Sequence, residues 1–184
     1  PLYNGKRATY TSHLQLMDDG YQYEITQGVM TVVPAPYRDH QRLVIKLAKL
    51  IDNFLDEHPI GLIYVAPRDV KFSEELKYQP DLLFISDSRL DIDQEKYVDG
   101  APDLIVEILS EGTQMKDKVD KLADYERYGV KEYWIMNPKS IYTSQFYFLQ
   151  GGQYTLFYPE NNLLSSKILA DFSLNLSTLQ GFLG

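Results

Sequence analysis

The stretch Gln79-Pro80-Asp81-Leu82-Leu83-Phe84-Ile85 decides the fold together with a second one, Pro102-Asp103-Leu104-Ile105-Val106-Glu107-Ile108-Leu109-Ser110. Each stretch contains a short apolar run, which predicts a buried strand. Each also carries an acid at a position where a core would favour an apolar side chain: Asp81 in the first and Glu107 in the second. An ionised carboxylate in apolar surroundings is costly unless it is paired or bound to a metal. The two runs therefore indicate a divalent-cation site.

Strand geometry limits which of these acids can share one ion. Asp103 and Glu107 are four residues apart, about 13 Å along a strand, which is too far. Asp81 and Glu107 can face each other at about 5 Å if their strands are neighbours in the right register. Asp103 is therefore expected to cap or order a loop. Asp81 alone also fits a strand-start acid that pairs with a nearby lysine or caps a turn. A mid-strand charge such as Glu107, by contrast, is seldom buried without a partner.

The pattern around the two runs predicts one domain over residues 1–184. The expected elements are a short helix at Ser12–Asp18, a hairpin of Tyr21–Thr26 and Val29–Val33, a helix capped by Asp39 and ending near Glu57, strands at Leu62–Ala66 and Asp69–Phe72, a charged turn at Ser73–Lys77, a helix from about Gln114 to Tyr128, a strand at Glu132–Met136, a hairpin of Gln145–Leu149 and Gln153–Tyr158, and a short C-terminal helix within Leu174–Leu183. This order predicts an α/β or α+β fold. Its mixed sheet is flanked by helices, with additional N-terminal and C-terminal β-hairpins.

Composition excludes several classes of site. The chain has no cysteine, which rules out disulfides, iron–sulfur clusters and thiolate zinc sites. No stretch approaches the roughly 18 apolar residues of a membrane span, and the N-terminus lacks the apolar core of a signal peptide, so we expect a cytoplasmic protein without membrane contacts. The net charge of −8 disfavours a general nucleic-acid coat protein, although 18 Lys and Arg residues are enough to line one groove. No hydrolase elbow, phosphate-binding glycine loop or His-x-x-x-His helix is present.

Three further polar residues are ambiguous from the sequence. Lys121, in the predicted second helix, either forms a surface pair with Asp117 one turn earlier or points back over the sheet. In the second case it would stabilise a nucleophilic hydroxide or a phosphate oxyanion. Glu24 is either another inward carboxylate or a solvent-facing position of a two-sided strand. His40, at the start of the long helix, is a candidate for facing the same cleft as Glu24.

Taken in order, the segments resemble the Uma2 family over roughly residues 10 to 160. The matching segments are Tyr23-Glu24-Ile25 with Gly28, Pro34-Ala35-Pro36 with His40-Gln41, Gln79 to Phe84, Ala101 to Ser110, Asp117 with Lys121-Leu122-Ala123 and Tyr125, and Gly129-Val130 with Glu132 to Ile135 and Pro138. The family is similar to the PD-(D/E)XK, or restriction-endonuclease-like, superfamily. This resemblance implies a mixed sheet flanked by helices, with carboxylates that bind Mg²⁺ or Mn²⁺ for phosphodiester hydrolysis.

The resemblance also implies roles for individual residues. Asp81 falls on the first acid of the motif and Glu107 on the second, and with the backbone carbonyl of Ile108 they would bind the metal. Two residues past the second acid the motif expects lysine, but this chain has Leu109. The lysine is instead expected from the following helix, at Lys121, where it would orient or activate the attacking water.

Two supporting positions and one departure complete the comparison with the family pattern. Glu24 and His40 match positions that would support the metal cluster. Val29 stands where many relatives carry an acid, so a second metal ion is not implied.

The leading hypothesis is therefore a metal-dependent endonuclease that acts on DNA. The rival is a catalytically inactive module that keeps the fold as a DNA-binding or protein-interaction scaffold, and a third option is a nuclease acting on RNA. Convergence of Asp81, Glu107 and Lys121 would favour catalysis, whereas dispersed or salt-bridged side chains would favour the scaffold. A homodimer would suit double-strand cleavage, with the tyrosine-rich C-terminal hairpin as its candidate interface.

Overall fold

The computed structural model describes residues 1–110 and 116–183, without the side chains of residues 116–119. The helices in these ranges are α1 (Tyr10–His13), α2 (Arg38–Glu57), α3 (Lys116–Tyr128) and α4 (Leu176–Leu183). The strands are β1 (Tyr23–Thr26), β2 (Val29–Val32), β3 (Gly61–Val65), β4 (Asp69–Ser73), β5 (Leu76–Tyr78), β6 (Leu82–Ser86), β7 (Tyr97–Asp99), β8 (Leu104–Ile108), β9 (Glu132–Met136), β10 (Gln145–Gln150), β11 (Gln153–Phe157), β12 (Leu163–Ser165) and β13 (Ser173–Asn175).

The strands form two large sheets and one small one. One large sheet has the order β2-β1-β5-β4-β7, the other has the order β11-β10-β9-β8-β6-β3, and β12 pairs with β13. Both large sheets are mixed, because β4 runs parallel to β7 and β8 runs parallel to β9, while their other neighbours are antiparallel. The predicted mixed-sheet fold is confirmed. The two expected hairpins, β1–β2 and β10–β11, are present, but each extends one of the large sheets.

The six-stranded sheet is covered on both faces, which explains the continuous apolar runs in β6 and β8. Leu82 and Phe84 pack in one cluster with the apolar side of α2. Their neighbours Leu83 and Ile85 point the other way, into a second cluster with residues of the five-stranded sheet and of α3. Alternate residues of a strand face opposite sides, so a strand buried on both sides is apolar throughout.

Helix α2 buries one stripe of its surface against the six-stranded sheet. Leu43, Leu47, Ile51 and Leu55 recur every four residues and are all buried. The helix begins at Arg38 after the non-helical Tyr37, so the predicted cap at Asp39 is wrong. Asp39 lies in the first turn instead, where its negative charge is favourable near the positive end of the helix dipole.

Two other predicted elements are shifted. Helix α1 covers Tyr10–His13 instead of starting at Ser12, because Thr9 is its cap and Ser12 bonds back to the Thr9 backbone in a capping box. The charged turn expected at Ser73–Lys77 is wrong at its end, where strand β5 places Lys77 between β1 and β4. The predicted helix start at Gln114 lies outside the described residues.

None of the helices in the described ranges is both long and apolar enough to cross a bilayer.

Candidate active site

The candidate site lies where the five-stranded sheet passes into the six-stranded one. Strand β5 ends at Tyr78, and after Gln79 and Pro80 the chain reaches Asp81 and enters β6. Strand β6 is antiparallel to β8, with Leu82 opposite Val106. Continuing this register by one residue places Asp81 opposite Glu107 on neighbouring strands.

Asp81 is held by one helix and one strand. Its Oδ2 accepts a hydrogen bond from the backbone N–H of Ile108 at 2.7 Å and lies 3.1 Å from His40 Nε2. His40 is buried in the first turn of α2. Its other ring nitrogen, Nδ1, is buried without a hydrogen-bond partner in the part of the chain that the structure describes. Asp81 thus has a fixed orientation at the end of β8.

Glu107 is held from α3. Its Oε1 accepts hydrogen bonds from Lys121 Nζ at 3.0 Å and from the Tyr125 hydroxyl at 2.8 Å. Burial raises the pKa of Glu107 to about 7, and the negative charges of Asp81 and Glu24 act in the same direction. Lys121 and the hydrogen bond from Tyr125 oppose the increase. A carboxyl with this pKa changes its charge near neutral pH.

Lys121 joins the two sheets through a second carboxylate. Its Nζ donates to Glu24 Oε1 at 2.8 Å as well as to Glu107, and the same Glu24 oxygen accepts the backbone N–H of Gln79 at 3.1 Å. Burial alone would lower the pKa of Lys121, but the charges of Glu107 and Glu24 raise it well above its usual value. Lys121 is therefore an ammonium group at neutral pH and acts as a hydrogen-bond donor.

The structure resolves the ambiguities left by the sequence. Lys121 points over the sheet toward the carboxylates, whereas the side chain of Asp117 lies outside the described residues. Glu24 faces inward and His40 contacts Asp81, so all five predicted side chains lie around one cavity. Asp103 is elsewhere: it is buried and binds Ser86, Arg89 and Lys131, in keeping with the loop-ordering role expected for it.

Two residues of the site had no role assigned from the sequence. Tyr125 follows Lys121 by four residues, and this helical spacing places both on the face that reaches Glu107. Gln79 holds Glu24 through its backbone, and its side-chain Nε2 donates to Asp69 Oδ1 at 2.7 Å. The role of Tyr125 could have been predicted from its spacing to Lys121 in the sequence. The contacts of Gln79 could not, because they depend on how the two sheets meet.

The polar residues lie at the base of a cavity of about 720 Å³. Its walls come from β1, β2, α2 and α3, from the end of β3 and the two residues after it, from the segment that leads from β5 into β6, and from the end of β8 and the two residues after it. The side chains of Asp81, Glu107, Lys121 and Glu24 are each 15 to 19% exposed. A substrate would reach them only by entering the cavity.

The donor set at the base fits a hard divalent cation. Asp81 and Glu107 each engage one oxygen, Oδ2 and Oε1, with other described residues. Oδ1 and Oε2 accept no hydrogen bond from any residue that the structure describes. Within the same ranges no group of three or more His, Asp or Glu side chains is placed to hold a metal ion. Two carboxylates completed by a carbonyl and water suit Mg²⁺, which keeps several of its waters.

Comparison with known protein families places the chain in one of them. A family model named Uma2 and described as "Putative restriction endonuclease" matches residues 9–177. The chain belongs to the Uma2 family. No curated protein matches it.

A solved structure shares the fold of this Uma2 chain. It is the crystal structure of a "putative nuclease belonging to DUF820" from Anabaena variabilis, with a TM-score of 0.78 and 19% sequence identity. The alignment covers 95% of this chain and 98% of that one. At this identity the likeness concerns the fold.

The motif expected from the family resemblance would have a lysine at position 109, where this chain has Leu109. Leu109 directly follows β8 and lines the cavity, where the motif would put a lysine. The ammonium group of Lys121, donated from α3, is 3.0 Å from Glu107. A positively charged group therefore lies beside Glu107, but it comes from α3 and not from the residue that follows β8.

Proposed function

We propose that this Uma2 protein is a metal-dependent endonuclease that hydrolyses phosphodiester bonds in DNA. The observation that carries the proposal is the contact of Lys121 with Glu107 at the base of a cavity, with Asp81 opposite on the neighbouring strand. Two carboxylates and one ammonium group in this arrangement suit phosphoryl transfer, where the demand is for charge stabilisation and positioning.

Asp81, Glu107 and the backbone carbonyl of Ile108 would hold Mg²⁺ or Mn²⁺. The Ile108 N–H donates to Asp81, and in an antiparallel ladder the N–H and C=O of one residue face the same neighbour. The carbonyl is therefore expected on the side of Asp81. The bound ion supplies Lewis-acid chemistry, in that it polarises the phosphoryl group and lowers the pKa of water.

In the reaction, Lys121 would act as a positively charged hydrogen-bond donor. Its raised pKa keeps it protonated, so it can hold a water molecule or a phosphate oxygen by hydrogen bonding. In the hydrolysis, a bond forms between the water oxygen and phosphorus while a bond from phosphorus to a sugar oxygen breaks, and the departing oxygen takes up a proton. Glu24 and His40 would support this by orienting Lys121 and Asp81.

The rival function, a non-catalytic scaffold, is favoured by the ion pairs of Lys121 with Glu24 and Glu107. The charges in the cluster speak for catalysis, however. Three carboxylates, Asp81, Glu107 and Glu24, line the cavity with one lysine, which pairs with Glu107 and Glu24 only. Besides burial, the negative charges of Asp81 and Glu24 contribute to the raised pKa of Glu107. A purely structural ion-pair network would gain stability from balanced charges. An excess of carboxylate is expected where a cation completes the site.

Cleavage and metal binding test the proposal together. We expect wild-type protein to cut DNA in Mg²⁺ or Mn²⁺ but not in EDTA, and Asp81→Asn and Glu107→Gln to lose both cleavage and calorimetric metal binding. Asp52→Asn, an exposed acid on α2, is the matched control and should behave as wild type. Metal-independent DNA binding without cleavage would contradict the proposal and support the scaffold, while cleavage confined to RNA would change the substrate.

A further inference from the structure

The size of the cavity restricts what can reach the candidate site. Its volume of about 720 Å³ lies within the range of about 300–1,000 Å³ typical of small-ligand pockets. That volume accommodates a group of nucleotide size. The double helix as a whole cannot enter, and the acids at the base are at most 19% exposed.

Part of the rim of the cavity is apolar. This part is formed by residues 33–36 and 65–67, which contain Pro34, Pro36 and Pro67, and by Val44 and Ile45 of α2. The other exposed residues of the described lining are polar: Gln22, Thr31, Gln41 and Asp120. Apolar walls can pack against the face of an unstacked base, as in enzymes that act on extruded nucleotides. These apolar side chains form no hydrogen bonds or ion pairs with the phosphates of a duplex lying across the opening.

The described residues that line the cavity also supply little positive charge for the phosphates of a duplex. Among the described lining residues, the acids are Glu24, Asp81, Glu107 and Asp120, and Lys121 is the single Lys or Arg. Lys121 is already paired with two of these acids. Duplex binding depends largely on Lys and Arg that neutralise phosphates, and the described cavity has no such residue to spare.

We infer that the site takes an unpaired strand, one nucleotide of which enters the cavity, and that intact duplex is a poor substrate. This inference rests on the proposed nuclease function and specifies its substrate class. Duplex would first have to unpair at the point of cleavage, which costs a few kcal/mol. We therefore expect single strands to be cut at least about tenfold faster than duplex, equivalent to about 1.4 kcal/mol.

The first experiment compares three labelled DNA substrates of one sequence in Mn²⁺: a single strand, a perfect duplex, and a duplex with a central unpaired bubble. The expected result is fast cleavage of the single strand and of the bubble within its unpaired segment, with slow cleavage of the duplex. Equal or faster cleavage of the duplex would overturn the inference and leave the proposed function intact.

If none of the three DNA substrates is cut, a binding measurement separates the inference on single strands from the proposed nuclease function. Lys121→Met keeps both metal-binding carboxylates, and its affinity for the single strand and the duplex in Mg²⁺ is measured by fluorescence anisotropy. Preference for the single strand, with no cleavage by wild type, would support the inference and contradict nuclease activity. Equal affinity, preference for the duplex, or no binding of either would overturn the inference.

Two substitutions on β3 test whether the strand passes the rim. Val65 lies in the rim and is 44% exposed, whereas Leu62 on the same strand is 43% exposed and lies outside the cavity lining. Val65→Lys adds a phosphate partner at the opening, so the slope of log K against log salt for single-strand binding should steepen by about 0.7. Leu62→Lys makes the same charge change and should leave the slope unaltered. Equal slopes for the two variants would contradict entry through this rim.

Discussion

At the residue scale, the site is a set of carboxylates whose negative charge is only partly neutralised by the ammonium group of Lys121. Glu107 and Glu24 share Lys121, while Asp81 is left with His40 and a backbone N–H. Asp81 and Glu107 each have one carboxylate oxygen that accepts no hydrogen bond from another described residue. The positions of Asp81 and Glu107 were predictable, since a charge inside an apolar run stands out in the sequence. The oxygens that they use depend on contacts between distant segments, which the sequence does not display.

Tyr125 offers a prediction for the orientation of Glu107. Tyr125→Phe removes the hydrogen bond to Oε1 while the ring remains, so Glu107 loses one of its two anchors. Partners of this kind typically contribute 10- to 100-fold to metal affinity, and we expect Mg²⁺ binding to weaken by about tenfold. Calorimetry on the folded variant measures this. Tyr128→Phe, on the same helix, is the control, and an equal loss in both variants would contradict the role of Tyr125.

The raised pKa of Glu107 also predicts how the stability of the folded protein depends on pH. Its pKa is about 7 in the folded protein against an ordinary value of 4.5, so the folded state binds the proton more tightly. The stabilisation is present below pH 4.5 and is lost as the pH rises to about 7. Without metal, wild type should lose up to about 3 kcal/mol relative to Glu107→Gln over this range. Urea unfolding in EDTA at pH 5 and pH 8 measures the difference, and a constant difference would contradict the raised pKa.

At the element scale, one buried acid fastens the C-terminal part of the chain to the six-stranded sheet. Glu132 in β9 is fully buried and accepts hydrogen bonds from the Trp134 indole, from the Ser166 hydroxyl and from the backbone N–H groups of Lys167 and Ile168. The carboxylate therefore satisfies three hydrogen-bond donors of the segment between β12 and β13. Burial nevertheless raises the pKa of Glu132.

Removing Glu132 should loosen that segment before it affects the candidate site. Glu132→Ala leaves several buried donors without a partner, and we expect a loss of about 3 kcal/mol in the free energy of unfolding. Amide hydrogen exchange should accelerate most at Lys167 and Ile168. Glu57→Ala, at an exposed position at the end of α2, serves as the control. Unchanged exchange at Lys167 and Ile168 would show that other contacts hold the segment.

Most helices and strands could be predicted from the sequence, but the pairing of the strands into two sheets could not. Apolar runs predicted β6, β8 and β9, and helical spacing predicted α2, because these signals are local. The division into two sheets depends on pairings such as Ile25 with Lys77, which have no local signature. Lys77 shows the consequence: its charge suggested a turn, yet it is 1% exposed and 3.0 Å from Asp69.

At the scale of the whole molecule, a net charge of −8 combines with an acidic cavity. A cation bound there would relieve repulsion among the carboxylates as well as serve the proposed chemistry. It would therefore stabilise the folded protein, because the acids come together only in that state.

This coupling predicts a metal-dependent melting temperature. At a hundredfold excess over Kd, a ligand specific for the folded state adds about 2.7 kcal/mol, which for a chain of this size raises Tm by roughly 5–10 °C. Mn²⁺ should have this effect on wild type but not on Asp81→Asn or Glu107→Gln. Calorimetric melting measures it. An equal increase in the variants would place the ion away from these acids.

The ion pair between Glu24 and Lys121 spans 97 positions of the chain, and this has a consequence for synthesis on the ribosome. A growing chain contains Glu24, His40 and Asp81 well before Lys121 emerges and the two sheets meet, whereas Glu107 precedes Lys121 by only 14 positions. Contacts between such distant residues form slowly. A nascent or partly folded chain thus cannot hold the complete constellation. For an enzyme proposed to cut nucleic acid, the order of synthesis itself delays activity until Lys121 has been made and the two sheets have met.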